Sequence, residues 1–130
     1  MRLVILLLIA LIAPGCASVD DSKKTITLDS ALRQYERAIR WGEFEAADTL
    51  RRESTDASAN TAHLKAVRVT AYDTLAKTET ENRSKAQVDV EIRYYNEYTM
   101  KEVTITDHQQ WEYDPDGKTW FITSPMPAFR

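Results

Sequence analysis

A strict two-residue alternation in residues 85–95, KAQVDVEIRYY, is the feature that most constrains the fold. Successive side chains of a β-strand point to opposite faces, so this pattern predicts a strand with one buried face and one face in water. Such strands are typical of antiparallel sheets that are covered on one side only. The predicted buried set is Ala86, Val88, Val90, Ile92 and Tyr94.

Three other segments carry strand or hairpin signals. Residues 64–76 alternate, with Val67, Val69 and Ala71 predicted to face inward. Residues 102–113, EVTITDHQQWEY, place four apolar side chains on one face, and Asp107 and Gln109 interrupt that face. The DPDG turn of residues 114–117 predicts a hairpin onto residues 118–123, and prolines end that strand. The four apolar side chains are Val103, Ile105, Trp111 and Tyr113, and the prolines are Pro125 and Pro127.

The preceding residues have helical spacing. An apolar stripe predicts a helix from Thr27 to Arg40, which Trp41 and Gly42 interrupt before a second helix over residues 43–52. Residues 54–62 are predicted to form a polar loop. Helices followed by about four antiparallel strands predict one α+β domain over residues 27–130, with a curved sheet wrapped over the first helix. The stripe consists of Leu28, Ala31, Leu32, Tyr35 and Ile39.

This order resembles that of the NTF2-like superfamily, also described as SnoaL-like or as a cystatin-type roll. The resemblance rests on YERAIRWGEFEAAD in the helices and QQWEYDPDGKTWFITSPMP in the closing hairpin, and it covers about residues 28–127. It extends in particular to small bacterial lipoproteins of that fold. The superfamily contains isomerases, dehydratases, ligand carriers and interaction modules, so the resemblance implies a fold and not a single function.

The N-terminus has the pattern of an export signal. Positive Arg2 precedes 11 apolar residues, which are too few for a membrane span of about 20 residues but fit a signal peptide. Residues 13–16, Ala-Pro-Gly-Cys, resemble the lipobox of bacterial lipoproteins. That resemblance implies cleavage between Gly15 and Cys16 and lipid attachment to Cys16.

A lipidated Cys16 implies a cellular location for the protein. We expect residues 1–15 to be the signal peptide and residues 16–26 a tether between lipid and domain. Ala17 follows the cysteine where many inner-membrane lipoproteins carry Asp, which points to the periplasmic face of the outer membrane. The formal net charge of −3 argues against nucleic acid as a partner, and the single cysteine excludes an internal disulfide.

The candidate catalytic residues are Asp107, Tyr94 and Tyr35. A buried carboxylate with a tyrosine hydroxyl could act as base and oxyanion donor in an isomerase-type site. Alternatively, both tyrosines are core aromatics whose hydroxyls reach the rim, and Asp107 lies where the strand bulges outward. Catalysis needs several groups to converge, so we expect no enzyme. The only histidines, His63 and His108, lack zinc-ligand spacing, and we predict neither metal nor cofactor.

Aromatic side chains suggest a different role. Tyr94 and Tyr95 are adjacent in one strand, so one of them must leave the core side. Exposed aromatic clusters often mark a partner surface, and the candidates are Tyr95, Tyr98 and Trp41. The sequence therefore favours a non-catalytic interaction or accessory module of the cell envelope. The alternatives are a carrier of a small apolar ligand in the cavity between sheet and helix, and an isomerase or dehydratase.

Overall fold

The computed structural model describes residues 16–53 and 63–130, and it shows two helices followed by a four-stranded antiparallel sheet. The strands follow chain order, β1-β2-β3-β4, so the sheet is a meander. The predicted α+β class is therefore confirmed. The elements are α1 (Cys16–Arg40), α2 (Phe44–Asp48), a 3-10 turn (His63–Ala66), β1 (Val67–Glu79), β2 (Lys85–Asn96), β3 (Glu102–Asp114) and β4 (Thr119–Ile122).

The alternation in β2 sets the side of the sheet that is buried. Val90 and Ile92 are completely buried, while the intervening side chains are exposed or half-buried. The buried stripe of α1 belongs to the same core, in which Tyr35 meets Trp111 edge-on with ring centroids 5.7 Å apart. The strand facing predicted for residues 86–94 is correct, because each polar residue between them reaches water on the uncovered face.

In β1, the side chains that point inward differ from those predicted. Its register against β2 shifts between Val69 and Ala71 and again between Thr74 and Ala76. The first shift pairs Ala71 with Arg93 on the outer side, and it turns Tyr72 inward opposite Ile92. The expectation that Ala71 faces inward is wrong, because an extra residue in one strand of a pair reverses the side-chain phase after it.

The first helix is longer than expected and the second is shorter. α1 runs through residues 16–26, which we expected to form a tether without regular structure. The Trp120 indole donates to the Lys24 carbonyl at 3.0 Å, so this part of α1 contacts the sheet. Gly42, with φ of 71°, ends α1 in the left-handed conformation that glycine adopts without strain. After the short α2, the Leu50 carbonyl accepts from Ile122 N at 2.9 Å at the edge of β4.

The predicted signal peptide, residues 1–15, and the predicted loop, residues 54–62, lie outside the described residues. Within the described part of the chain, no helix is long and apolar enough to cross a membrane.

Candidate functional site

A buried polar cluster lies on the helix-facing side of β3. The alternation of β3 brings Asp107 and Gln109 inward, where Gln109 has no exposed surface and Asp107 is 7% exposed. Gln109 Nε2 donates to Asp107 Oδ2 and to Tyr72 Oη, both at 2.8 Å. Gln109 Oε1 accepts from the Trp111 indole at 3.1 Å. The side-chain amide of Gln109 therefore uses both of its donor hydrogens and its acceptor inside the core.

Tyr35 on α1 completes the cluster without a hydrogen bond of its own. Its side chain is completely buried, and in the described residues its hydroxyl has no hydrogen-bond partner. Burial raises the pKa of Tyr35 far above its ordinary value, and the nearby charge of Asp107 raises it further. Burial likewise raises the pKa of Tyr72. Both phenols are therefore neutral hydroxyls at physiological pH.

The carboxyl group of Asp107 is also perturbed. Burial raises the pKa of Asp107 above its ordinary value, whereas the hydrogen bond from Gln109 and the charge of His108 act in the opposite direction. The charged form is disfavoured because little water reaches it. The alternative that Asp107 lies on an outward bulge is wrong: β3 pairs with β2 without a register shift, and the side chain points into the core.

The structure separates the three candidate catalytic residues. Tyr35 and Asp107 are both buried, and the charge of Asp107 raises the pKa of Tyr35, but in the described residues the Tyr35 hydroxyl has no hydrogen-bond partner. Tyr94 lies four residues further along β2 than Val90, the residue that pairs with Asp107. The Tyr94 hydroxyl accepts from Arg130 N at 3.0 Å, and its ring meets Phe129 edge-on. Tyr94 therefore contacts the C-terminal residues and lies apart from Asp107 along the sheet.

Sequence reasoning missed Tyr72 and the role of Gln109. The sequence shows Gln109 as a polar residue on an apolar strand face. Its hydrogen-bond partners could not be predicted, because they depend on which side chains from other strands meet it in the core. Tyr72 was hidden, because the bulge that turns it inward has no glycine or proline to mark it. A groove of about 290 Å³ between α1 and β1 reaches Tyr72, but neither Asp107 nor Gln109 lines that groove. Through Gln109 the cluster links β3 to β1.

The candidate metal ligands are also dispersed. His108 Nδ1 lies 2.7 Å from Asp89 Oδ1 on the outer face of the sheet, and His63 is exposed. Among residues 16–53 and 63–130, no three His, Cys, Asp or Glu side chains come together in a way that could hold a metal ion.

The exposed aromatic residues lie at the end of the domain where α1 finishes. Trp41 is 77% exposed directly after α1, and Tyr98 is 88% exposed in the turn between β2 and β3. That turn is joined to the 3-10 turn, since Glu97 N donates to the Ala66 carbonyl at 2.8 Å. Tyr95, the third candidate, is only half-buried and lies on the outer face of the sheet.

An open groove lies at the same end. It has a volume of about 380 Å³, and it separates the start of α2 from the 3-10 turn. Phe44, Ala46 and Leu64 supply its apolar walls. Gly42, which follows Trp41 directly in the chain, lines it as well.

No protein-family model matches the chain, and no curated protein matches it. The solution structure of a SEC-C motif-containing protein from Rhodopseudomonas palustris is similar, with a TM-score of 0.60 at 13% sequence identity. The match covers 84% of this chain and 86% of that protein. The two proteins share a fold. At this identity the likeness carries no statement about ligands, partners or activity.

This comparison overturns the expected family. The solved structure that the chain matches is a SEC-C motif-containing protein and not an NTF2-like lipoprotein, so the resemblance to the NTF2-like superfamily is wrong. The physical reason lies in the pattern on which the resemblance was based. Apolar periodicity and turn residues determine which faces are buried and in what order the elements follow, and unrelated α+β families share such an order.

Proposed function

We propose that this protein is a lipid-anchored protein of the periplasmic face of the outer membrane, and that its domain docks a protein partner of the cell envelope without catalysing a reaction. The observation that carries the docking role is the exposure of Trp41 and Tyr98 at the end of the domain that also holds the groove between α2 and the 3-10 turn. Large aromatic side chains in water are typical anchors of protein interfaces.

The proposed anchor and the docking end are well separated. Cys16 is the first residue of α1 and Trp41 follows the last one. At a rise of about 1.5 Å per residue, this helix of 25 residues is about 37 Å long. A lipid on Cys16 and the surface around Trp41 therefore lie at opposite ends of α1. The anchor itself is proposed from residues 13–16 of the sequence.

The chemistry of the groove suggests the kind of contact. Phe44 and Leu64 offer apolar walls. The exposed Trp41 precedes Gly42, which also lines the groove. A partner that inserts one aliphatic or aromatic side chain into this groove would bury these groups together. Such a central apolar anchor provides most of the affinity in many interfaces.

The interior favours docking over the two alternatives. Tyr35, Trp111 and Ile39 are completely buried in the layer where a carried ligand would lie between α1 and the sheet. Asp107, the best candidate acid, is bonded to Gln109 and does not line the neighbouring groove. These contacts support a binding surface on the exterior.

Photo-crosslinking in cells tests the proposal. A photoactivatable phenylalanine analogue at position 41 or 98 should give the same discrete crosslinked product, whereas the analogue at Leu75, an exposed residue of β1, should give none. Trp41→Ala or Tyr98→Ala should abolish complementation of a deletion strain. The pair Asp107→Asn with Tyr35→Phe, which removes the acid and a hydroxyl, should complement fully. Loss of function in that conservative pair, with both alanine variants active, would establish an enzyme instead.

A further inference from the structure

The β3 strand has an open edge over its first half. β4 pairs only with Trp111–Asp114 of β3. The last contacts along this edge are Thr123 N to the Gln110 carbonyl at 2.7 Å and Gln110 N to Ser124 Oγ at 3.1 Å. Pro125 follows, and Phe129 near the end of the chain is buried with its ring against Tyr94 of β2. In the described part of the chain, no strand lies beside residues 102–109 on this side.

Backbone groups point outward along this open edge. The N–H and C=O groups of a strand alternate between its two sides, and those of Gln110 point toward β4. The groups of Thr104, Thr106 and His108 therefore point to the same side, where no strand pairs with them. All three side chains are exposed. This edge can accept another strand by backbone hydrogen bonding.

The two free edges of the sheet differ in how they are protected. The β1 edge contains two register shifts, and Lys77 lies near its end. Bulges and lysines are devices that prevent pairing at an edge. Residues 102–109 pair with β2 without any shift, and they include neither proline nor lysine. The only acidic side chain on their inner face, Asp107, is already buried and bonded to Gln109.

We infer that residues 102–108 of β3 pair with the same residues of a second copy of this chain, antiparallel, around a two-fold axis at Ile105. The two four-stranded sheets then form one continuous sheet of eight strands. Thr104 lies opposite Thr106 of the second copy, and Glu102 lies opposite its His108. A carboxylate therefore faces an imidazole at each end of the interface, and threonines face each other between them, which are both favourable cross-strand pairs.

The neighbouring contacts select this axis. With the axis one residue earlier, at Thr104, His108 would lie opposite Met100 of the second copy, which precedes Glu102, the first residue of the strand. An axis one residue later would require the backbone of Gln110, which is already bonded to Thr123 and Ser124. At Ile105 every outward backbone group from Glu102 to His108 finds a partner. The half-buried Ile105 then meets its own symmetry mate on the inner face.

This arrangement constrains the orientation of the pair. The two-fold axis reverses the strands, so the two Cys16 residues lie at opposite ends of the eight-stranded sheet, and both α1 helices lie on the same face. If both chains carry the proposed anchor in one membrane, the pair lies along the bilayer surface. The dimer itself does not depend on the lipid anchor, and neither does its test.

Cysteine scanning of the full-length protein tests the interface. Ile105 and its symmetry mate would form a non-hydrogen-bonded pair with Cα atoms about 4.5 Å apart, within the range of a disulfide. Ile105→Cys should give a covalent dimer on oxidation. Leu75→Cys on the β1 edge, which is 60% exposed, should stay monomeric, as should the wild type. No dimer with Ile105→Cys, while its melting temperature stays close to that of the wild type, would overturn the inference.

A second pair of variants addresses affinity. Ile105→Lys places two ammonium groups against each other at the axis, and it should raise the dimer dissociation constant at least tenfold in sedimentation equilibrium. Leu75→Lys adds the same charge to the other edge and should leave the constant unchanged. If the wild type dimerises and Ile105→Lys leaves the dissociation constant unchanged, or if Leu75→Lys abolishes the dimer, the interface lies elsewhere. A wild type that is monomeric at every concentration would also reject it.

Discussion

Gln109 on β3 donates a hydrogen bond of 2.8 Å to the hydroxyl of Tyr72 on β1, across the intervening strand β2. Both side chains are buried beneath α1. The same amide also donates to Asp107 and accepts from the Trp111 indole. One side chain therefore joins the first strand to the third. Removal of this amide would leave several buried polar groups without their partners, and such groups lower stability.

We expect Gln109→Leu to lower the free energy of unfolding by about 3 kcal/mol, because it leaves the buried Tyr72 hydroxyl and the Trp111 indole without partners. Urea denaturation measures this change. Gln110→Leu alters the next residue, whose side chain is exposed, and should change stability by less than about 0.5 kcal/mol. Equal losses in the two variants would contradict a central role for Gln109.

The stability of the protein should depend on the ionisation of Asp107. Because burial raises the pKa of Asp107 in the folded state, the unfolded chain loses this proton at lower pH than the folded protein does. Ionisation therefore reduces stability as the pH rises from the ordinary aspartate pKa through the raised one. Asp107→Asn removes this dependence and retains an oxygen that accepts from Gln109.

Urea midpoints of the wild type and of Asp107→Asn between about pH 4 and about pH 8 check this expectation. The stability of the asparagine variant relative to the wild type should increase with pH over that window. Asp73→Asn on the outer side of β1, an exposed position, serves as the matched control and should show no comparable trend. A constant difference between the wild type and Asp107→Asn would mean that the carboxyl group is well solvated.

Val90→Asp should unfold the domain. Val90 has no exposed surface and lies opposite Asp107, so the new carboxylate would be buried next to another acid. We expect a loss of about 4 kcal/mol or more, followed by circular dichroism and thermal melting. Gln87→Asp places the same group on the exposed face of β2 and should melt near the wild type.

Cys16→Ser should abolish lipid attachment and signal processing if residues 13–16 act as a lipobox. Metabolic labelling with palmitate should mark the wild type and leave the variant unlabelled, and the variant should move from the membrane fraction to the soluble or unprocessed fraction. Ser22→Ala, a change in the same helix, should be labelled like the wild type. An unlabelled wild type would refute the anchor and leave the docking proposal standing.

The alternation of β2 and the helical stripe of α1 were enough to predict the class of fold, the strand facing of residues 86–94 and the burial of Tyr35. Those features depend on local periodicity, since burial on one face imposes a period of two on a strand and 3.6 on a helix. The DPDG turn determined the last hairpin for the same local reason, through the backbone preferences of proline, aspartate and glycine.

Tertiary structure decided the polar cluster, the extent of α1 and the separation of Tyr94 from Asp107. Tyr72 turns inward only because β1 gains a residue against β2, and such a shift depends on the pairing of two strands and not on either sequence. Residues 16–26 become helical where Trp120 contacts Lys24, which lies 96 positions earlier in the chain. Local patterns determine which faces of an element are apolar, but contacts between distant segments determine which of its polar groups meet.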